Sequence, residues 1–308
     1  MNHLKPIPLN GERKFDGGDR WTVGGEKPEA TTVVDSMALF EKWESSVLNR
    51  EHPAVWDWAP PGSRLSTLKI AANTVVVMGA PPGTGKTALS LQIVLDALRA
   101  PGQEELRVLN CNVEMAPPAL LDRFLARLTG VGYSYVQHRN YDDDAVPRIK
   151  AAIEELRAVM PRMEFLRPPF TLENLYERAV NFGANLVVAD YCQRLDHSKR
   201  SSDQRAQAGA VMDCCRRLAD DGRCVLAISA VNRQGYGPDA TIAAFRESSD
   251  LEYGADSAWL LIRDGNSAAV KLRCVKNRHG SIEDVQVLFD GSRQQFDDDP
   301  AEFAWMPQ

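Results

Sequence analysis

Past residue 70, short apolar runs recur along the chain and amphipathic stretches fill the gaps between the early ones. VVVM (75–78), RVLNCN (107–112), NLVVAD (185–190) and CVLAIS (224–229) are near-continuous rather than alternating, as in strands covered on both faces. Between them, residues 87–99, 118–129, 147–159, 171–182 and 204–220 carry helical spacing. Short strands alternating with helices predict an α/β fold with a mainly parallel sheet flanked by helices. Three later runs, AWLLIR (258–263), AAVKLRCV (268–275) and VQVLF (285–289), follow one another without helices. They predict antiparallel strands added at one edge.

The ends of the chain differ from this pattern. Residues 1–34 are polar and glycine-rich, lack periodicity, and predict a flexible arm. Asp35 is placed to cap a helix through MALFEKWESSVL, whose apolar face carries Leu39, Phe40, Trp43 and Val47. The segment WAPPGS then leads into the main domain. The expected division is an arm (1–34), a linker helix (35–54), one domain (55–295) and a disordered acidic tail, FDDDPAEFAWMPQ (296–308).

Composition narrows the class. With 308 residues, 44% of them hydrophobic, the chain can bury one substantial core. No apolar run is long enough to span a bilayer and the N-terminus lacks a signal-peptide core, so no membrane association is expected. Six cysteines are scattered without a CxxC pair and read as reduced thiols of a cytoplasmic protein. Five histidines show no metal spacing. The net charge of −6 excludes a polycation, so any nucleic-acid contact must come from a local basic surface.

The chemistry concentrates at strand ends. In VVVMGAPPGTGKTALSLQIV an apolar strand runs into a Gly/Pro loop, then Gly85-Lys86-Thr87, then an amphipathic helix. This is a P-loop with Ala80 where the first glycine often stands. Gly83 and Gly85 let backbone N–H groups turn in around a phosphate chain, and the helix N-terminus adds its positive dipole end. Pro82, Gly83, Thr84, Gly85, Lys86, Thr87 and Ala88 are the expected ATP-binding positions, with Lys86 on the β/γ-phosphates and Thr87 on Mg²⁺. NLVVADYCQ ends an apolar strand in Asp190, a carboxylate costly to bury unless it is paired or near a cation. Beside a P-loop it reads as the Walker B acid on Mg²⁺. Ligands of open parallel sheets sit outside the carboxyl ends of the strands. If the strands are neighbours, Glu114 of NCNVEM shares that edge and is the expected catalytic base that orients the attacking water.

Together these segments resemble the ATPase domain of DnaB-type replicative helicases, which has the RecA fold. The likeness rests on APPGTGKT, on NVEM followed by Arg123, on DYCQ, and on FRESSDLEYGADSAWLLIRD with KNRHG, over roughly residues 55 to 292. The resemblance implies that Lys276 and Arg278 reach a neighbouring subunit's nucleotide site, and hence a homo-oligomeric ring, a hexamer in the family. In isolation KNRHG reads as a basic surface turn. The resemblance also implies that Arg246, Glu247 and Ser249 track the backbone of single-stranded DNA, and that a loader or primase is a further partner. Two departures stand out. The family's Ser-Gln pair is Ser229-Ala230 here, so either Gln193 covers part of the coupling between nucleotide state and the DNA loops or that coupling is weaker. The family's N-terminal collar domain is expected to be missing, with the helix near 35–48 docking on its own domain or on an adjacent subunit. Three functions stay open: a DNA helicase or translocase acting in replication, a RecA-like recombinase or regulatory DNA-dependent ATPase, and a nucleotide-binding scaffold or helicase loader.

Overall fold

A computed structural model describes residues 13–15, 21–23, 35–196, 204–232, 241–245, 254–265 and 267–300. In chain order the strands are Arg13–Phe15 (β1), Trp21–Val23 (β2), Val55–Trp56 (β3), Ile70–Ala71 (β4), Thr74–Ala80 (β5), Val108–Asn112 (β6), Met163–Phe165 (β7), Leu186–Asp190 (β8), Cys224–Ala230 (β9), Ser257–Arg263 (β10), Ala269–Asn277 (β11), Val285–Asp290 (β12) and Gln295–Asp298 (β13). The helices are Ser36–Leu48 (α1), Lys86–Arg99 (α2), Pro117–Thr129 (α3), Tyr133–Gln137 (α4), Val146–Val159 (α5), Leu172–Phe182 (α6) and Gln204–Asp220 (α7).

Among the described residues nine strands form one sheet, in the order β13-β12-β11-β10-β5-β9-β8-β6-β7. The six from β10 to β7 run parallel, and β11, β12 and β13 continue the sheet antiparallel. The near-continuous apolar runs are explained by burial on both sides. Val76 and Met78 of β5 point into a core shared with α2, α3 and α5, while Val75 and Val77 point into a second core shared with α6 and α7.

The structure corrects the sequence reading in four places. The pattern predicts residues 257–263 as an antiparallel addition, but β10 pairs parallel with β5 in the register Ser257↔Val76, and only its β11 side is antiparallel. The chain from 231 to 256 is long enough to be a crossover. The acidic tail is expected to begin at Phe296, yet this residue lies in β13, is 1% exposed and stacks on Phe289 with ring centroids 4.4 Å apart. Three aspartates after it mask a strand whose apolar contribution is a single side chain. The short parallel strand β7 is not anticipated either. In the expected arm, β1 and β2 pair antiparallel, and Phe15, Trp21 and Val23 are strand-favouring types.

Helix α1 begins where expected, with Asp35 accepting from Met37 N–H at 2.9 Å. It buries none of its residues. Met37, Leu39, Phe40, Trp43, Val47 and Leu48 are all about half exposed or more. All six cysteines are free and buried. Among the described residues no helix is long and apolar enough to cross a membrane.

Candidate nucleotide site at the carboxyl edge of the sheet

Strands β5, β9, β8 and β6 are consecutive in the sheet, so the groups carried on their ends meet at one edge. The loop after β5 turns through Gly83 at φ +78° and Gly85 at φ +103°, conformations that side chains rarely adopt. Gly85 is also sterically required, because a Cβ there would lie 2.8 Å from Phe296 and 3.0 Å from Phe289. Lys86 is 4% exposed, and its Nζ donates to Ala80 O at 2.7 Å and Pro81 O at 3.0 Å. Burial pushes its ammonium down to about 8, against the opposing charges of Asp190 and Glu114. Thr84 is buried with its hydroxyl on Pro81 O at 2.9 Å, while Pro82 is exposed.

Asp190 sits at the end of β8, 3% exposed. Its Oδ2 accepts from the Thr87 hydroxyl at 2.8 Å and from the Asn112 amide at 2.8 Å. Burial raises its affinity for a proton, opposed by the Thr87 hydrogen bond and the Lys86 charge. Among the described residues its Oδ1 is buried without a hydrogen-bond partner. A buried carboxylate oxygen with no donor, beside a hydroxyl on its other oxygen, fits a hard cation held by Thr87 and Asp190. No cluster of three His, Cys, Asp or Glu suited to a metal is found among the described residues.

Glu114 lies just past β6. Asn112 Oδ1 accepts from the Glu114 N–H at 3.1 Å and the Met115 N–H at 2.7 Å, and Glu114 lines a cavity of about 190 Å³ with Asn110, Met115, Phe165 and Arg167. Its Oε1 pairs with Arg194 Nη1 at 3.0 Å. Gln193 bridges to the end of β9. Its amide donates to the Ser229 hydroxyl at 2.8 Å and accepts from the Ala230 N–H at 2.9 Å.

A cavity of about 310 Å³ opens over the loop, lined by Gly83, Gly85, Lys86, Thr87, Ala88 and Arg123 together with Tyr191, Arg263, Phe289, Gly291 and Gln294. Arg123 donates to Gln294 and lies over the Tyr133 ring at 4.6 Å. Arg263 lies over Phe289 at 5.5 Å. Sequence reasoning misses Phe289, Gly291 and Gln294, because they belong to the β12–β13 hairpin. The signal is present: Asp290-Gly291 is a turn dipeptide between two short strand-like stretches. Asn112 carries no sequence signal, since its role depends on the pairing Asn112↔Asp190 across β6 and β8.

Lys276 and Arg278 are not brought to this site. Lys276 pairs with Ala258 at the start of β10, so KNRHG lies at the opposite end of the sheet from the loop. Through β10, Lys276 is level with Val77, three residues before Ala80, and Arg278 is held to Asp256 beside Val75, five residues before Ala80, about 16 Å at strand rise. There Arg278 Nη1 faces the buried Asp256 Oδ1 at 3.4 Å, and its N–H donates to Asp256 O at 2.8 Å. Arg246, Glu247 and Ser249 lie outside the described residues. Ahead of them, Phe245 is 2% exposed and packs where a Cβ on Gly79 would stand, directly behind the P-loop strand.

Known proteins place these features. The family model of the DnaB-like helicase C terminal domain matches residues 67–298. The replicative DNA helicase DnaB of Treponema pallidum is 25% identical over 73% of this chain and 51% of its own length. A probable plasmid replicative DNA helicase of Chlamydia psittaci is 21% identical over 92% of this chain and 67% of its own. The chain thus spans about half to two thirds of the length of these curated relatives. The fold is that of a DnaB-like replicative helicase whose structure was solved with attention to its interactions with primase, at a TM-score of 0.71 and 19% identity, covering 86% of this chain and 67% of that one. A separately solved ATPase domain shares it at a TM-score of 0.72 and 18% identity, covering 85% of this chain and 98% of that one. On the match over residues 67–298, the chain belongs to the DnaB-like helicase C-terminal domain family.

Proposed function

We propose that this protein is a ring-forming ATPase that moves along single-stranded DNA and unwinds duplex during replication. The observation that carries the reading is the convergence of Lys86, Thr87, Asp190 and Glu114 on one sheet edge, at the ends of β5, β8 and β6 in the order β5-β9-β8-β6. A protein that only held nucleotide would have no use for a second, separate acid there. The P-loop amides and Lys86 bind the triphosphate of ATP. Thr87 and Asp190 would hold Mg²⁺, which would supply positive charge beside the transferred phosphoryl group. Glu114, on the turn that Asn112 fixes and close enough to act on Lys86 and Asp190, orients the attacking water and accepts its proton. Phe289, packed against Gly85, and Arg263 also line the cavity, and an aromatic ring and a guanidinium there suit a nucleoside.

Two observations support self-assembly. First, Arg278 cannot reach the P-loop of its own chain, so any action on nucleotide is on a neighbour's. Second, α1 exposes an apolar stripe while the groove between α3 and α5 is lined by Leu121, Leu125, Ile153, Leu156 and Met160. In this reading α1 of one copy fills that groove on the next. Replacing both Phe40 and Trp43 with glutamate is expected to shift native mass in the presence of ATP from a ring, a hexamer in this reading, toward monomer. An unchanged mass would remove α1 from the interface. The six reduced thiols suit a cytosolic workplace.

The direct test is displacement of a labelled strand from a forked duplex. ATP-dependent displacement is expected with Mg²⁺ and is expected to be lost with EDTA. Hydrolysis stimulated by single-stranded DNA without displacement would favour a regulatory ATPase.

A further inference from the structure

We propose that Arg194 is a positioning residue that withholds Glu114, and that the turn Gln193–Arg194 ties this restraint to the end of β9. The proposal rests on the ATP-hydrolysing reading above and deepens it. Residues Cys192–Arg194 form a single 3-10 turn. The turn is anchored at both ends, with Cys192 and Leu195 fully buried and Leu195 N–H donating to Cys192 O at 3.2 Å. The two residues between those anchors reach in different directions. Arg194 Nη1 donates to Glu114 Oε1 at 3.0 Å. The Gln193 amide donates to Ser229 Oγ at 2.8 Å and Ala230 O at 3.2 Å, and accepts from the Ala230 N–H at 2.9 Å. One short turn therefore joins the carboxylate to the exit of β9.

The chemistry of the pair gives the direction of the effect. A guanidinium donating to Oε1 occupies one of the carboxylate's two oxygens, so that oxygen is not open to a water. The pair is also easily broken, since the side chains of Arg194 and Glu114 are 60% and 45% exposed. A buried pair would be a permanent brake, whereas this one can be released.

The other end of the link leads toward the segment expected to meet DNA. Beyond β9, Asn232 N–H donates to Ala244 O at 3.0 Å, and Phe245 is fixed against Gly79 immediately ahead of Arg246. A pull on Val231 and Asn232, the latter held to Ala244, reaches Ala230, then Gln193, then Arg194. The amide that meets the backbone of Ala230 is that of Gln193, next in sequence to the arginine that holds the base.

The test is steady-state ATP hydrolysis by the full chain, without and with an oligo(dT) single strand. The variants are Arg194→Ala, Arg194→Lys and Gln193→Ala. Without DNA, Arg194→Ala is expected to hydrolyse ATP about two- to fivefold faster than the parent, the range an exposed pair can hold back. Its maximal rate with DNA is expected to match the parent, so the stimulation ratio shrinks. Arg194→Lys keeps the charge and is expected to stay near the parent. A damaged fold lowers a rate and does not raise it, so the gain is diagnostic. An Arg194→Ala rate without DNA equal to or below the parent's overturns the restraint. An undiminished stimulation ratio in Gln193→Ala overturns the link to β9. Failure of the underlying reading shows in the parent alone: no hydrolysis removes both ideas. Hydrolysis indifferent to DNA removes the link, while the Arg194→Ala rate still decides the restraint.

Discussion

Glu114→Gln is expected to bind ATP as the parent does and to hydrolyse it about 10²–10⁴ times more slowly. Binding survives because the phosphate cradle is built from other parts, namely the loop turning through Gly83 and Gly85, the buried Lys86, and the Thr87–Asp190 pair. Hydrolysis fails because an amide keeps the shape of the side chain but cannot take the water's proton. The substitution is mild structurally. Glu114 is half exposed, and its turn is fixed by backbone N–H groups donating to Asn112 rather than by its own carboxylate. Fluorescent-nucleotide binding alongside phosphate release separates the two effects. A tenfold or greater loss of binding would mean that Glu114 belongs to the cradle instead.

Arg278→Ala is expected to lower hydrolysis by about 10³–10⁵ in the assembled protein, the range of an arginine that stabilises the transferred phosphoryl group from a neighbour. The placement makes this prediction sharp. Arg278 stands at the far end of the sheet from its own P-loop, braced by Asp256. Asp256 is itself fixed by Arg216 and by the Val75 N–H at 2.8 Å. An arginine acting in trans can be complemented. Mixing Arg278→Ala with Lys86→Ala, each inactive alone, is expected to restore hydrolysis. The restored sites pair an intact P-loop from one variant with an intact arginine from the other. No recovery on mixing, with assembly intact, would assign Arg278 a role in holding the hairpin to Asp256 only.

Much of this architecture is legible in the residues, and the exceptions have physical causes. Strands β5, β6, β8 and β9 announce themselves because burial on both faces demands unbroken apolar runs. The P-loop is legible because few other uses combine an apolar strand, Gly83, Gly85 and a helix starting at Lys86. Glu114 and Asp190 become readable only when the strands are assumed to be neighbours, an assumption the order β5-β9-β8-β6 satisfies. Strand β13 is hidden because an edge strand needs one buried side chain, here Phe296, and tolerates aspartates elsewhere. With it go Phe289 and Gln294 of the cavity wall. Asn112 and Arg194 are invisible for another reason. Each acts across a distance of about 80 residues in sequence, through a contact that only the fold creates. The orientation of β10 is easily misread because a run of apolar residues does not state its direction, which here follows from the crossover before it.

The central claim is that the edge formed by Lys86, Thr87, Asp190 and Glu114 is an ATP-hydrolysing site driven by single-stranded DNA. The measurement that tests it most directly is steady-state ATP hydrolysis by the parent and Glu114→Gln, side by side, with and without single-stranded DNA. The account predicts a parent rate strongly raised by DNA and a variant with negligible hydrolysis in either condition. A parent rate indifferent to DNA, or a Glu114→Gln rate equal to the parent's, would contradict it.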